Sequence, residues 1–145
     1  MRTINFKVWN EESGRMLHVG KIQFDPFGVS EVESNEMGIQ NVFNAETPLT
    51  QDTNVQDTKT GEDIYEGDIV LKKQVAPTSV TDVRNGDPVI GVVKYLEGGW
   101  VLDNEVSEKC EPLWSEIDEL TILGNIYENP QFAKAVIKDR DDRDD

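Results

Sequence analysis

At 145 residues the chain is long enough for one domain with a true core, burying roughly 70% of the surface its unfolded form exposes. A single cysteine, Cys110, rules out an intramolecular disulfide, and no apolar run approaches the roughly 20 residues of a membrane-spanning helix. Fourteen Lys and Arg against 29 Asp and Glu leave a formal net charge of −15, which repels phosphate backbones and disfavours direct nucleic-acid contact.

The opening residues Met1-Arg2-Thr3-Ile4-Asn5 enter polar alternation at once, so no signal peptide is expected and the chain reads as soluble and cytosolic. Ile4, Phe6 and Val8 alternate with polar neighbours, the period-two pattern of a half-buried strand. Asn10 to Gly14 is a turn, and Arg15 to Val19 returns as the partner strand. Ile22 and Phe24 predict a third strand ending at Pro26. Between residues 28 and 48 the apolar residues are sparse, and the pattern predicts irregular chain with at most one short strand.

From Asp57 to Gly61 a turn leads into Ile64-Tyr65-Glu66-Gly67-Asp68-Ile69-Val70-Leu71. Here Gly67 supplies a backbone angle other residues resist, and Asp68 can accept from the turn's own amides. Asn85-Gly86 between Val80–Val83 and Val89–Val93 predicts a hairpin, and Gly98-Gly99 separates a strand ending at Leu96 from Trp100-Val101-Leu102. A single helical turn is expected over Pro112 to Ile117, and a last strand over Leu120 to Gly124. Asn129-Pro130 predicts a capped helix to about Ile137 with Phe132, Ala133 and Val136 on one face. Lys138 to Asp145 has nothing apolar to bury and reads as a disordered charged tail of −2, which leaves −13 on the body. The expected fold is mainly β, a small distorted barrel or twisted antiparallel sheet with a short C-terminal helix, in one domain over 1–137.

Few constellations could carry chemistry. His18 and Cys110 are the sole imidazole and thiol, and nothing in the sequence places them together as a nucleophile and base. Lys109 beside Cys110 is offset by Glu108 and Glu111, which gives no reason to expect an activated thiolate. Two such ligands cannot close a structural zinc site, and Asp57 to Asp63 lacks the alternating oxygens of a calcium loop. Glu66 and Asp68 could in principle act as acid and base, but a turn-stabilising Asp beside a solvated Glu is the account expected of them. Trp9 falls out of phase with Val8. Burial beneath the C-terminal helix is expected of it, with an exposed partner anchor as the alternative. Tyr65 and Tyr127 flank turns and present the same choice.

Three segments stand out together: Ile4-Asn5-Phe6-Lys7-Val8-Trp9-Asn10 with Met16, then Gln51 and Thr53 to Asp57 with Gly61-Glu62-Asp63-Ile64-Tyr65-Glu66-Gly67-Asp68-Ile69-Val70, and lastly Gly91-Val92-Val93 near Trp100-Val101-Leu102 with Ile122-Leu123-Gly124-Asn125-Ile126-Tyr127-Glu128-Asn129-Pro130. In this order they resemble the YopX-like family of small proteins encoded by phages and prophages. Two features depart from the family pattern. Asn54 stands where Gly tends to follow the Thr, and a positive φ there is what Asn tolerates best. The stretch from Asp57 to Gly61 is a residue longer, and Val75 to Pro88 is a local elaboration. The resemblance implies a barrel-like β fold and a phage origin, and it assigns no catalytic, cofactor, metal or partner-binding residue. The resulting expectation is a non-enzymatic accessory protein with no cofactor, contacting a host or phage protein in the cytoplasm of the infected bacterium. The alternatives are an acidic nucleic-acid mimic that blocks a basic host protein, and an enzyme of unrecognised type. Self-association is left open.

Overall fold

Val8 and Leu17 face one another across the first hairpin and are both buried, so the opening alternation does place one side of each strand inwards. The computed structural model of the chain describes residues 4–74, 88–114 and 118–138. Within them the chain forms two compact units, residues 1–52 and 53–145. The protein is mainly β, with a curled half-barrel sheet and one short C-terminal helix, as its sequence predicts.

In unit 1, β1 (Phe6–Asn10) and β2 (Arg15–His18) pair antiparallel around a turn closed by Gly14 at φ +70°. The other side of β1 pairs with the first residues of β6 (Leu49–Gln56), inside which the division between the units falls. β3 (Lys21–Asp25) does not extend the hairpin. It starts a separate antiparallel sheet in the order β3-β4-β5, with β4 at Gly28–Ser34 and β5 at Asn41–Asn44. A 3-10 turn at Glu36–Gly38 joins the last two.

The expectation of irregular chain from 28 to 48 is therefore corrected, and a bulge explains it. Phe24 pairs with Val29 while Gln23 pairs with Glu31, so Ser30 is an extra residue on β4. That residue shifts the phase, letting Val29 and Val32 pack on the same core although they lie an odd number of positions apart. The core of unit 1 is Val8, Leu17 and Val32, with Val29, Phe43 and Leu49 against it.

Unit 2 is built on a five-stranded antiparallel sheet, β11-β10-β9-β8-β12. Its strands are β8 (Asp68–Gln74), β9 (Val89–Leu96), β10 (Gly99–Asn104), β11 (Lys109–Pro112) and β12 (Asp118–Asn125). Consecutive residues of β8 and β9 are buried on opposite faces. Val70 and Val93 join Ile64, Leu102, Leu113 and Leu120 on one side, while Ile69 and Val92 meet Val136 on the other. A sheet covered twice requires unbroken apolar runs, and Ile69-Val70-Leu71 and Val92-Val93 supply them.

The short β7 (Asp63–Tyr65) reaches β8 through a turn with Gly67 at φ +88°, and Asp68 Oδ2 accepts the Tyr65 amide at 2.8 Å. This is the arrangement expected from the sequence. Of the helical turn expected over Pro112 to Ile117, Pro112 instead ends β11, and residues 115–117 lie outside the described residues. Pro112 there takes the place a proline tolerates, on the outermost strand of the sheet.

The C-terminal helix is shorter than predicted. α1 spans Pro130–Ala133, with Pro at its start as read. Asn129 does not cap it; its side-chain oxygen accepts the Asn125 amide at 3.1 Å instead. Phe132 is exposed and only Val136, past the helix, is fully buried, fixed by a bond of 2.8 Å from the Glu105 amide to the Val136 carbonyl. The predicted Asn85-Gly86 hairpin and residues 139–145 of the predicted tail lie outside the described residues.

Candidate functional site

The surface of unit 1 carries two adjoining grooves. The larger, about 630 Å3, runs between the end of β1 with its turn (Trp9 to Glu12) and β5 with the loop that follows (Asn41 to Pro48). The smaller, about 320 Å3, shares Asn10, Glu12 and Asn41 and continues towards Met37 and Ile39. Local hydrogen bonds hold both rims. The Trp9 amide donates to the Pro48 carbonyl at 3.0 Å, and Asn44 Oδ1 accepts from the Glu46 amide and the Thr47 hydroxyl at 3.0 and 3.2 Å. The Asn10 side chain likewise accepts the Glu12 amide at 3.2 Å. Asx turns of this kind stiffen a loop without using any apolar contact.

Unit 1 also exposes large apolar side chains, of which Met37 and Ile39 line the smaller groove and Val42 the larger. Phe27, at the tip of the β3–β4 hairpin, is 98% exposed, and Met37 is 83% exposed. Phe24, Ile39 and Val42 are also exposed. The Phe27 tip is not loose, since Asp25 Oδ1 accepts the Phe27 amide at 2.7 Å. Met37 sits at φ +58°, a left-handed conformation that is uncommon for a side chain of its size. Sequence reading missed all of this, because it set Phe24 with Ile22 on the apolar side of a strand and treated residues 28 to 48 as irregular. Gly28 and Gly38, both at positive φ, were the available signal that strands are turned there.

Trp9, the aromatic singled out from its phase, is half-buried and forms part of the larger groove. Tyr65 is buried, and Tyr127 is half-buried. Burial first, and the Glu66 carboxylate second, raise the Tyr127 hydroxyl above its ordinary value.

The residues weighed for chemistry have structural tasks. Asp68 is committed to its turn. Asp57 is buried, and its Oδ1 accepts the Lys59 and Thr60 amides at 2.8 and 3.0 Å while Oδ2 accepts the Ile122 amide at 2.9 Å. Burial pushes that carboxyl up, but the amides together outweigh it and hold it below the ordinary Asp value. Its oxygens face backbone donors, which is a loop clasp. His18 belongs to unit 1 and Cys110 to unit 2.

Cys110 is exposed on β11, directly across the ladder from Asp103. Desolvation, followed by Asp103, pushes the thiol up, against the opposing pull of Lys94. The sequence neighbours of Cys110 were thus the wrong ones to consult. Burial lowers Lys94, yet its bonds to Asp103 at 2.7 Å and Glu105 at 3.4 Å keep it above an ordinary lysine. Glu111 reaches instead to Lys72, a buried ammonium that also binds Asp118 and the Pro112 carbonyl.

Asn54 stands at φ +63°, the left-handed value at which Asn replaces Gly with least strain. The departure noted in the sequence is thereby absorbed. The family profile described as YopX protein matches residues 5–134. The chain belongs to the YopX family. Two solved structures share its fold. Protein yopX from Bacillus subtilis is 17% identical, with a TM-score of 0.59 over 95% of this chain and 100% of that one. Protein EF1440 from Enterococcus faecalis is 18% identical, with a TM-score of 0.52 over 91% and 99%. No curated protein matches the chain. Among the described residues no helix is long and apolar enough to cross a membrane, and no group of three or more His, Cys, Asp or Glu is placed to hold a metal ion.

Proposed function

We propose that this YopX-family chain is a phage-encoded accessory protein that works by binding another protein in the cytoplasm of the infected bacterium, with no chemistry of its own. The observation that carries this reading is the exposure of Phe27 and Met37 on the turns at the two ends of β4, each turn held by its own hydrogen bonds. Large apolar side chains standing in water on fixed backbone cost solvation and lose little entropy on docking, which is what a contact surface needs. The phage origin rests on the family likeness.

The net charge of −15 supports a second reading, an acidic mimic of nucleic acid that occupies a basic host protein. One experiment separates the two. The tagged chain is used to capture proteins from infected lysate at about 0.1 M and about 1 M sodium chloride, where the screening length falls from about 10 to about 3 Å. An apolar interface keeps its partner through the high-salt wash and loses it in the double variant Phe27→Ser, Met37→Ser. A mimic's partner leaves with salt and ignores those substitutions. A chain that retains nothing at either salt overturns both readings.

A further inference from the structure

β5 is the end strand of its sheet, so the side of it away from β4 presents backbone donors and acceptors to no other strand among the described residues. All four of its residues line the larger groove, those pointing up from the sheet and those pointing down. A groove lined in that way follows the open edge of a strand and does not lie over one face. Its walls bear Trp9, Val42 and Phe43. Around them stand Glu11, Glu12 and Glu46, with no Lys or Arg in the lining. None of these three carboxylates belongs to an ion pair among the described residues.

We propose that this groove receives an extended, basic segment of a partner protein, which adds as a further strand to the β5 edge. The proposal rests on the reading that the chain binds another protein, and it adds a site and a chemistry distinct from the Phe27 and Met37 turns. An incoming strand would satisfy the edge through main-chain bonds, over about 13 Å for four residues at roughly 3.3 Å each. Alternate side chains then divide by face, apolar ones onto Trp9 and Phe43 and cationic ones towards the glutamates. The open edge and the groove make the site, while the carboxylates choose the sign of what enters. A second copy of the chain is the occupant they exclude, since it brings the same glutamates and a charge of −15 to a like surface. Residues 138–145, at −2, are no better matched.

The test titrates the full chain with an octapeptide alternating lysine and valine, followed by amide and tryptophan indole NMR shifts and by hydrogen exchange. Two control peptides carry glutamate for lysine, or N-methyl groups at alternate positions. The proposal expects shifts confined to the groove lining, including the Trp9 indole and the amides of Asn41 to Asn44. Exchange slows at the alternate β5 amides that point away from β4. It expects no binding of the glutamate peptide and loss of binding when the ladder-facing amides are methylated. Glu12→Gln and Glu46→Gln each weaken affinity about two- to five-fold, the weight of an exposed ion pair, whereas Glu97→Gln in unit 2 changes nothing. Shifts spread over the acidic surface of unit 2, indifference to methylation, or protection of the same amides by self-association without peptide would each overturn it. If the captured partner is held equally by Glu12→Gln, Glu46→Gln, the groove assignment falls while the contact reading stands. If the octapeptide docks on β5 and infected lysate yields no partner, the groove stands and the contact reading falls.

Discussion

The two units use their apolar residues differently. Unit 2 places consecutive valines and isoleucines on both faces of a five-stranded sheet, with Ile64, Val70 and Leu102 essentially free of solvent. Unit 1 has a core of three buried apolar residues and leaves Phe27 and Met37 98% and 83% exposed, whereas the most exposed large apolar side chain described in unit 2, Trp114, is 60% exposed. Unit 2 therefore has the larger packed core, whereas unit 1 carries the two most exposed apolar side chains among the described residues, Phe27 and Met37. Substitutions chosen from each side should separate stability from binding.

The largest loss of stability is expected at Leu102. It is 0% exposed at the centre of the main cluster of unit 2, and Leu102→Ala should cost about 2–5 kcal/mol through lost transfer energy and a cavity. Denaturant midpoints measure it. Phe27→Ala, which removes a larger side chain from unit 1, should stay within about 0.5 kcal/mol of the parent because nothing is uncovered. If the two costs are similar, Phe27 has a packed environment and the contrast between the units is wrong.

Gly91 comes next. It sits in β9 opposite Val70, and a Cβ there would stand 2.9 Å from Leu102 Cγ and 3.0 Å from the Asp103 carbonyl oxygen. The backbone oxygen cannot swing aside as a side chain would, so Gly91→Ala should cost about 1–3 kcal/mol by overpacking. Gly14 in the unit 1 hairpin turn has open space around its Cβ position. Its substitution meets only the strain of φ +70°, a smaller penalty of about 1 kcal/mol. Thermal midpoints of the pair, with Gly91→Ala the lower, check the order.

How much of this was legible follows from phase. Strands whose alternation or apolar run is unbroken, β1, β8, β9 and β10, could be read directly, as could the turns at Gly67 and Gly98-Gly99. β4 could not, because Ser30 bulges and moves the apolar positions out of step. β11 is four residues ending in Pro112, and nothing in Lys109-Cys110-Glu111-Pro112 alternates. The groove suffered from the same difficulty. β5 offers one exposed and one half-buried apolar residue between two asparagines, and its importance comes from being an edge, a property of topology and not of composition. Trp9 was flagged by its odd phase, but the wall opposite it was hidden in the segment taken as irregular.

Asp57 gives a test with a pH signature. Its two oxygens accept three backbone amides, and an asparagine has only one acceptor oxygen. Asp57→Asn therefore turns an NH2 towards the Ile122 amide and should cost about 1–3 kcal/mol. Because the folded-state pKa lies below the ordinary Asp value, the ionised group stabilises the fold above about pH 4. That contribution is lost as the pH falls from there through the folded pKa. The gap between parent and variant should accordingly be constant at neutral pH and close in acid. A gap that widens in acid would mean the amides bind the protonated form better.

The smallest effect concerns charge, and it again divides the units. Residues 1–52 hold 4 Lys and Arg against 8 Asp and Glu, a net −4, and residues 53–145 hold 10 against 21, a net −11. Like charges so distributed oppose the compact state, and the screening length of about 10 Å at 0.1 M salt reaches across neighbouring side chains. Salt also weakens attractive pairs, but those of Lys72 are sheltered with the ammonium and lose less than exposed ones. The only ion pair described in unit 1, Arg15 with Glu36 at 3.9 Å, is long and largely exposed, so its loss costs little. Raising sodium chloride from low ionic strength should thus increase the thermal midpoint modestly until screening saturates. Hydrogen exchange at each salt should assign more of the gain to the sheet of unit 2 than to unit 1. A flat or falling series would show that the local pairs of Lys72 and Lys94 outweigh the general repulsion. It would also weaken the mimic reading, which needs its negative charges massed and not neutralised in pairs.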